Sequence, residues 1–369
     1  MFAPTELFYQ IALTQIPQIG DVLAKKLADH FGNASNIFNA RQRELERIPE
    51  IGAVRAAAIK QFRNFDRVEA EIRFIEKYNI QPVFYLDPAY PQKLRDCYDS
   101  PLLLYFKGNA PLNTSRVLSI VGTRTPGSYG REICEQIVAG LAPHDVTIVS
   151  GMAYGIDIIA HKAALQHGIP TIGVLAHGLD RIYPAVHKST AAAMLENGGL
   201  LTDFTSGTAP DKQNFPKRNR IVAGISDATL VIESGLQGGS LITAAIANSY
   251  HRDVLAVPGR VGDPHADGCH HLIKTHRAAL VTSASDILDL MGWLPATPAP
   301  SVRQRALFVP LEPEEQQVVA VFEENPERHF DDLSRHCSLP GSLLNAVLLK
   351  LEMYSLVKSM PGQRYRLIC

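Results

Sequence analysis

The stretch VTIVSGMAYGIDIIAHKAALQH, from Val146 to His167, determines the fold class predicted for this chain of 369 residues. It begins with a short apolar run, passes through a turn with two glycines, and ends in a segment with apolar residues at helical spacing. A short apolar run, a glycine turn and an amphipathic helix in this order are typical of a buried parallel strand and its crossover helix.

The same unit recurs on both sides of this stretch. Strands that alternate with helices form βαβ units, which build a parallel sheet covered by helices on both faces. The sequence therefore predicts an α/β fold with a Rossmann-like, mostly parallel sheet. The predicted strands are Val117–Val121, Val146–Val149, Thr171–Leu175, Leu200–Thr202, Thr229–Ile232, Val254–Val257 and Leu280–Val281, and helical patterns between them include Arg131–Leu141, Ile156–His167 and Ser240–His251.

Residues 1–80 are predicted to form a separate helical domain. Two similar stretches, IPQIGDVLAKKL from Ile16 and IPEIGAVRAAAI from Ile48, each place a glycine where a tight turn could join two helices. This pattern resembles paired helix-hairpin-helix, or SAM-like, units. Such hairpins either hold a DNA backbone through their amides or serve only as a helical packing module. Gln18 and Glu50 stand where cations would favour DNA, so both interpretations remain open.

Residues 81–292 are predicted to form the Rossmann-like domain, with an extended, proline-rich lead-in at 81–115 that contributes a strand and a lid. A proline-rich linker follows at 293–310. Residues 311–369 show three helical segments and then two short strands, VKSM and RYRL, which predicts a winged helix. From Glu312 to Cys369 there are six Lys and Arg against nine Asp and Glu. Because a helix that reads DNA needs cations, contact with a protein is favoured for this domain over contact with DNA.

Composition excludes several classes of protein. The net charge of −1 leaves no uniformly basic surface, so a site for a polyanion must be a local patch. Five scattered cysteines without a CxxC pair indicate a reduced, cytoplasmic protein. The first residues lack the basic region of a signal peptide, and no apolar run approaches the roughly 20 residues that a membrane span needs. The run Cys269–His271 is not expected to bind a metal, because adjacent side chains rarely point at one ion.

Glycine-rich turns follow several of the predicted strands, and the carboxyl ends of parallel strands share one edge of a sheet. Backbone amides at helix starts bind anionic oxygens there, and glycine allows close approach. The first turn, GTRTPG, lacks G-x-G-x-x-G, and the chain has no P-loop. Neither a dinucleotide nor another cofactor is therefore predicted, and the turns indicate an extended anion-binding surface.

The stretch DKQNFPKRNRIVAG, from Asp211 to Gly224, adds four cations, the aromatic residue Phe215 and the amide of Asn219 near the same edge. Arginine presents a planar fork to phosphate oxygens, and Phe215 offers a face on which an unpaired base can stack. This combination favours single-stranded nucleic acid. The alternative is that Phe215 packs in the core and Arg218 braces the sheet.

Asp157 and His161, one helical turn apart, could form an acid–base dyad, but a helix-start carboxylate with a helical hydrogen bond or ion pair is favoured.

Six motifs in order resemble one known family. They are VGTRTPGSYG, SGMAYGIDIIAHKAAL, TIGVLAHGLDRIYP, FPKRNRIVAGIS, GGSLITAAIA and AVPGR. They closely resemble the bacterial DNA-processing proteins of the DprA, or Smf, family. The likeness is strong from about Tyr90 to Leu290, and the helical first domain and the winged helix fit the three-part layout of the family.

The resemblance implies a cytoplasmic, non-enzymatic mediator of natural transformation. Such proteins bind and protect incoming single-stranded DNA and help load the RecA recombinase onto it. They form homodimers through the Rossmann-like domain, and some contact single-strand-binding protein. The resemblance assigns DNA contact to Arg124, Lys212 and Phe215, and also to Lys188. The full set of predicted DNA-binding residues is Gly122, Thr123, Arg124, Gly151, Lys188, Lys212, Phe215, Arg218, Asn219, Arg220, Gly239, Ser240 and Lys274, with no catalytic residue and no metal ligand.

The chain departs from the family pattern at three places. Gly238 replaces the serine common before Gly239-Ser240, His270 replaces an asparagine, and His276-Arg277 stand where Gly-Ala, or Asn and a basic residue, are common. The competing function is that of a related Rossmann-like group that hydrolyses nucleoside monophosphates with the glutamate of P-G-G-x-G-T-x-x-E. The matching turn here has no acid at that place, so the sequence supplies no general base.

Overall fold

The computed structural model describes residues 5–294, 311–354, 356–360 and 363–368. The chain divides into two compact units, residues 1–295 and residues 296–369. Most of the linker predicted at 293–310 lies outside the described residues. None of the helices in the described ranges combines the length and apolar character needed to cross a membrane.

The first unit opens with six helices. Both repeated stretches form the same turn, in which Gln18 and Glu50 adopt positive φ angles of 66° and 71°. The amide of Ile19 donates to the carbonyl of Ile16 at 3.3 Å in one hairpin, and Ile51 donates to Ile48 at 3.1 Å in the other. All four isoleucines are buried, which explains why both turns need this residue type. The helices are α1 (Glu6–Thr14), α2 (Asp21–Phe31), α3 (Ala34–Asn39), α4 (Gln42–Glu46), α5 (Gly52–Gln61) and α6 (Phe65–Lys77).

A nine-stranded sheet forms the centre of the first unit. Its order is β1-β2-β6-β5-β4-β3-β7-β8-β9, and all neighbours from β6 to β9 pair in parallel. The Rossmann-like prediction is thereby confirmed. The strands are β1 (Gln81–Phe84), β2 (Leu103–Gly108), β3 (Val117–Gly122), β4 (Thr147–Ser150), β5 (Thr171–Val174), β6 (Gly198–Thr202), β7 (Ala228–Ile232), β8 (Asp253–Ala256) and β9 (Ala279–Leu280).

Helices cover both faces of this sheet. One face buries apolar side chains of α8, α9 and α14, and the other buries those of α11, α12 and α13. The connections change direction between β3 and β7, which makes a topological switch point there. The helices of this part are α7 (Gln92–Arg95), α8 (Ser128–Leu141), α9 (Ile156–Gln166), α10 (Lys188–Met194), α11 (Asn214–Gly224), α12 (Gly239–Ser249), α13 (Asp267–Lys274) and α14 (Ala284–Leu290).

The lead-in at 81–115 differs from the predicted strand and lid. It supplies two strands, which extend the sheet beyond β6 and pair antiparallel at its edge. Leu103, Leu104, Tyr105 and Phe106 are all buried, because β2 is covered on both faces.

The second unit has the predicted winged-helix order, with one strand more than expected. Its helices are α15 (Pro313–Glu324), α16 (Phe330–Cys337) and α17 (Gly341–Met353), and its strands are β10 (Glu327–His329), β11 (Val357–Met360) and β12 (Arg364–Leu367). Strand β12 lies between β10 and β11. The sequence does not predict β10, because its three residues, Glu-Arg-His, carry no apolar signal.

Candidate nucleic-acid interface

An open cavity of about 560 Å³ lies at the carboxyl ends of the parallel strands, beside the switch between β3 and β7. We call it the rim trough and define it by the residues that line it. Turns after β3, β4 and β7 and the first half of helix α11 form its walls. Ten of the thirteen predicted residues line the rim trough: Gly122, Thr123, Arg124, Gly151, Lys212, Phe215, Arg218, Asn219, Gly239 and Ser240.

Helix α11 distributes its cations over different sides. The sequence indicates a helix from Asn219 onward, but α11 already begins at Asn214. At about 100° of rotation per residue, positions 215, 218 and 219 share one side of a helix, and position 220 points elsewhere. Phe215, Arg218 and Asn219 accordingly line the rim trough, and Arg220 does not.

Arg218 forms the floor of the rim trough and is only 4% exposed. Its Nη1 donates to the carbonyl oxygen of Val174 at 2.7 Å. Gly151 gives the guanidinium its space, because a Cβ at that position would lie 1.8 Å from Nη1. Burial lowers the pKa of Arg218, and the nearby Asp157 carboxylate opposes that effect. The residue places a fixed positive charge beneath the opening.

Asp157 and His161 do not form a pair. One carboxylate oxygen of Asp157 accepts the amide of Ala153 at 3.3 Å, as expected of a helix-start carboxylate. The Nδ1 atom of His161 instead lies 2.7 Å from Oγ1 of Thr171. Burial, with Arg218 and His187, lowers the pKa of His161 to about 3, so the imidazole is neutral at physiological pH. The predicted hydrogen bond or ion pair between positions 157 and 161 is therefore wrong, and a dyad has no geometric basis.

Phe215 is half-buried at the mouth of the rim trough. The guanidinium carbon of Arg124 lies 5.6 Å from the centre of its ring, a cation–π distance. The ring of Tyr183 lies 6.4 Å away at 52°. Lys212, exposed, precedes the helix in the same wall. The two charged groups and the aromatic face are thus presented together toward solvent.

The turn after β7 presents the start of helix α12. The first amides of a helix have no partner within it and attract anionic oxygens. A Cβ built on Gly239 would meet open space, so this turn leaves room for a ligand. The hydroxyl of Ser240 donates to that of Ser234 at 2.8 Å and fixes the turn.

Glu233 is a positioning residue that the sequence analysis missed. Its carboxylate accepts the amides of Gly127 at 2.8 Å and Gly130 at 3.0 Å. Its carbonyl oxygen accepts the amide of Thr123 at 2.7 Å. These three bonds hold the loop that carries Arg124. The only sequence signal was an acid at the end of a buried strand.

Arg220 lies outside the rim trough, contrary to its predicted place in the pocket. Its Nη2 is 2.8 Å from a carboxylate oxygen of Asp21 and 2.7 Å from one of Asp203. Burial alone would lower the pKa of Arg220, but the two carboxylates raise it above its usual value. The guanidinium therefore joins helix α11 to helix α2 and to the segment after β6.

Lys274 also lies apart from the rim trough. Helix α13 begins at the rim, where the amide of Gly268 donates to the carbonyl oxygen of Ser234 at 2.7 Å, and it must descend because β9 is parallel to β8. Lys274 is its last residue. With a rise of about 1.5 Å per residue, the helix carries this lysine roughly 10 Å below the rim.

Lys188 lies near the rim but does not line the trough. It is exposed at the start of helix α10, directly after His187. The Nδ1 atom of His187 is 3.0 Å from the carbonyl oxygen of Met152, in the turn after β4. The start of α10 is therefore attached to that turn.

The described residues contain no group of three or more His, Cys, Asp or Glu side chains that could hold a metal ion. The side chains at 269–271 have separate environments. Cys269 is buried, and its Sγ lies 3.7 Å from the carbonyl oxygen of Val231. Nε2 of His270 is 3.0 Å from the carbonyl oxygen of Gly259, and His271 is exposed.

Comparison with known proteins assigns each part of the chain to a described family. Residues 81–292 match DNA recombination-mediator protein A, residues 11–72 match the helix-hairpin-helix motif, and residues 295–363 match the DprA winged helix domain. Protein Smf of Synechocystis is 32% identical over 99% of this chain and 99% of its own length. DNA processing protein DprA of Streptococcus pneumoniae is 39% identical over 65% of this chain and 84% of its own.

The similar solved structures include two DNA processing proteins. The X-ray structure of DprA from Streptococcus pneumoniae has a TM-score of 0.67 at 32% identity and covers 78% of this chain and 98% of the other. A structure of DNA processing protein A from Helicobacter pylori, which concerns the single-stranded DNA binding mode of that protein, has a TM-score of 0.53 at 27% identity. It covers 58% of this chain and 96% of the other.

Proposed function

The chain belongs to the DNA recombination-mediator protein A family, and on this premise we propose that it binds single-stranded DNA in the rim trough. The backbone phosphates contact Arg124, Lys212 and the amides at the start of helix α12. One unstacked base lies on Phe215, and Arg218 supplies positive charge from below.

One observation carries this proposal: an aromatic face, two exposed cations and a helix start converge in one cavity of about 560 Å³. A stacking surface beside a positively charged groove is the arrangement that binds unpaired strands with little sequence preference. Duplex DNA cannot offer a base to Phe215 without unpairing, so the site should prefer single strands.

The cellular role follows from family membership. We propose that the protein is a non-enzymatic mediator of natural transformation, which protects incoming single strands and loads RecA onto them in the cytoplasm. It would act as a homodimer through the Rossmann-like domain, with single-strand-binding protein as a further partner. Membership in the family and the cations and aromatic ring that line the rim trough support this role.

The alternative, hydrolysis of nucleoside monophosphates, lacks a suitable carboxylate in the described rim trough. Asp157 is the acid that lines it, and that side chain is buried against the amide of Ala153. Glu233 lies close by, but its carboxylate accepts two amides of the Arg124 loop. Both carboxylates thus accept backbone amides, and Asp157 also lies near the charge of Arg218, so neither is favoured as a general base.

Replacing Arg124 or Lys212 with alanine should weaken binding to oligonucleotides of every sequence. Because each of these side chains neutralises a phosphate, each replacement should also reduce the slope of log affinity against log salt by about 0.7. Fluorescence anisotropy with a labelled oligothymidylate at several salt concentrations measures both quantities. The same titration with a duplex of equal length should give weaker binding.

Lys217→Ala is the matched control, because Lys217 is exposed on helix α11 and does not line the rim trough. The Lys217→Ala variant should keep nearly the full affinity for oligonucleotides and nearly the full slope of log affinity against log salt. If the Arg124, Lys212 and Lys217 variants all bind like the unchanged protein, the trough is not the DNA site.

Deleting residues 311–369 should leave the affinity for single-stranded DNA nearly unchanged. Cations of the winged helix already face acids, since Lys350 lies 3.4 Å from Glu315, and Arg364 and Arg366 lie 3.2 Å and 3.8 Å from Glu327. Helix α17 instead exposes Leu349 and Met353, which are 61% and 77% accessible. The anisotropy titration compares the full chain with the chain that lacks residues 311–369. A drop in affinity of tenfold or more would assign DNA contact to this unit.

A further inference from the structure

Tyr154 presents an exposed aromatic face beside the rim trough, in the turn after β4. It is 51% accessible. Its ring makes a T-shaped contact with the ring of His187, with centroids 5.2 Å apart at 71°. His187 is itself buried and held by the carbonyl oxygen of Met152. The ring is therefore supported from one side and free on the other.

A second cavity, of about 480 Å³, opens next to this ring. We call it the Tyr154 notch. It is lined by the loop after β3, by Arg131 of helix α8 and by the first turn of helix α9. Two of its lining residues, Arg124 and Arg131, are cations, and none is acidic.

Arg124 is common to the Tyr154 notch and the rim trough, so the two cavities are neighbours. The loop that carries it lies directly on Gly155. A Cβ there would be 2.1 Å from the carbonyl oxygen of Thr123 and 2.7 Å from Cα of Arg124, and the φ of Gly155 is +78°. Only glycine permits this contact. The close approach holds Arg124 as a ridge between two aromatic surfaces, Phe215 on one side and Tyr154 on the other.

We propose that the Tyr154 notch is a second base-stacking subsite for the same single strand. This inference rests on the proposed function of the rim trough. The backbone crosses the ridge with a phosphate on Arg124, one base stacks on Phe215, and a base further along the strand stacks on Tyr154. Arg131 contacts a phosphate of that second segment. An arginine between two aromatic faces suits a strand whose bases alternate with phosphates.

The subsite predicts an affinity that depends on oligonucleotide length. Oligothymidylates from roughly 4 to 16 nucleotides cover the site sizes common for such grooves. Tyr154→Ala should bind the long members roughly 5- to 30-fold more weakly and the shortest nearly normally, because a short strand fills only the rim trough. Tyr154→Phe keeps the ring and should behave like the unchanged protein. Phe215→Ala should bind weakly at every length.

Tyr78→Ala serves as the control, because Tyr78 is 43% accessible at the end of helix α6 and lies by Lys107 of the antiparallel edge strand β2. It should bind normally at all lengths. If Tyr154→Ala equals the unchanged protein at all lengths while Phe215→Ala is weak, the subsite is wrong and the rim trough stands. If the unchanged protein binds no oligonucleotide, the proposed function itself fails.

Fluorescence gives a second, direct measurement. The chain has one tryptophan, and Trp293 is only 6% exposed. Tyr154→Trp therefore adds an accessible indole to a protein whose own tryptophan is buried. Saturation with a long oligothymidylate should quench this added emission, and Tyr78→Trp should stay unquenched. An unquenched Tyr154→Trp at saturation would overturn the proposal.

Discussion

Phe215→Ala is expected to weaken binding of single-stranded DNA by about 2–3 kcal/mol, or roughly 30- to 150-fold. Stacking of one base on an aromatic residue is worth about 1–3 kcal/mol. The upper part of this range applies because the ring also positions Arg124, whose guanidinium carbon lies 5.6 Å from its centre. One substitution thus removes a stacking surface and releases a phosphate-binding cation.

Anisotropy titration at fixed salt measures this loss, and Phe215→Tyr is the matched control, since it keeps the ring and should bind normally. Circular dichroism tests the alternative that Phe215 belongs to the core. We expect Phe215→Ala to fold, because the ring is half-buried and contacts Arg124 and Tyr183 at the surface. Loss of the fold would support the core role. A folded variant with unchanged affinity would contradict the stacking role.

Most of the parallel strands could be predicted because they are buried on both faces, although the two residues of β9 are exposed. Strand β7, for example, has five consecutive buried residues, Ala228 to Ile232, which are apolar except for Thr229. Strand β1 has no such signal. It contains Pro82, and its first half is exposed or half-buried. Its place in the sheet depends on pairing with β2, which no local pattern encodes.

The rim of the site could also be predicted, since parallel topology brings every strand's carboxyl end to one edge. The side of the helix on which each cation lies could not be predicted. Arg218 and Arg220 are two residues apart, and only the start of helix α11 decides which of them faces the cavity. Lys274 does not line the rim trough for a related reason: its distance from the rim depends on the length and direction of helix α13.

Glu233 shows a third limit of prediction from a single sequence. The two hydrogen bonds of its carboxylate join residues more than 100 positions apart in the chain, 127 and 130 with 233. A single sequence displays the acid and the glycines but not their contact. The residue that holds the Arg124 loop therefore became visible only with the fold.

Arg220→Ala should lower the free energy of unfolding by about 3–5 kcal/mol, the effect of removing one partner from a buried ion pair. The side chain of Asp203 is 10% exposed and would lose the guanidinium that lies 2.7 Å away. Its other carboxylate oxygen, Oδ1, is buried without a hydrogen-bond partner among the described residues. Chemical denaturation measures the loss. Lys217→Ala, on the exposed side of the same helix, should change the free energy by no more than about 0.5 kcal/mol.

The decrease in the free energy of unfolding caused by Arg220→Ala should depend on pH. Burial already raises the pKa of Asp203, and the charge of Arg220 opposes that rise, so Arg220→Ala should raise it further. A folded-state pKa above the unfolded value means that the folded variant gains stability as the pH falls through that pKa. The gap between Arg220→Ala and the unchanged protein should therefore be wider at neutral pH than in mild acid. A gap that is small, or equal at both pH values, would contradict the ion-pair role.

At a temperature where Arg220→Ala remains folded, it should bind single-stranded DNA normally, because Arg220 does not line the rim trough. A folded variant that bound poorly would instead return Arg220 to the DNA site.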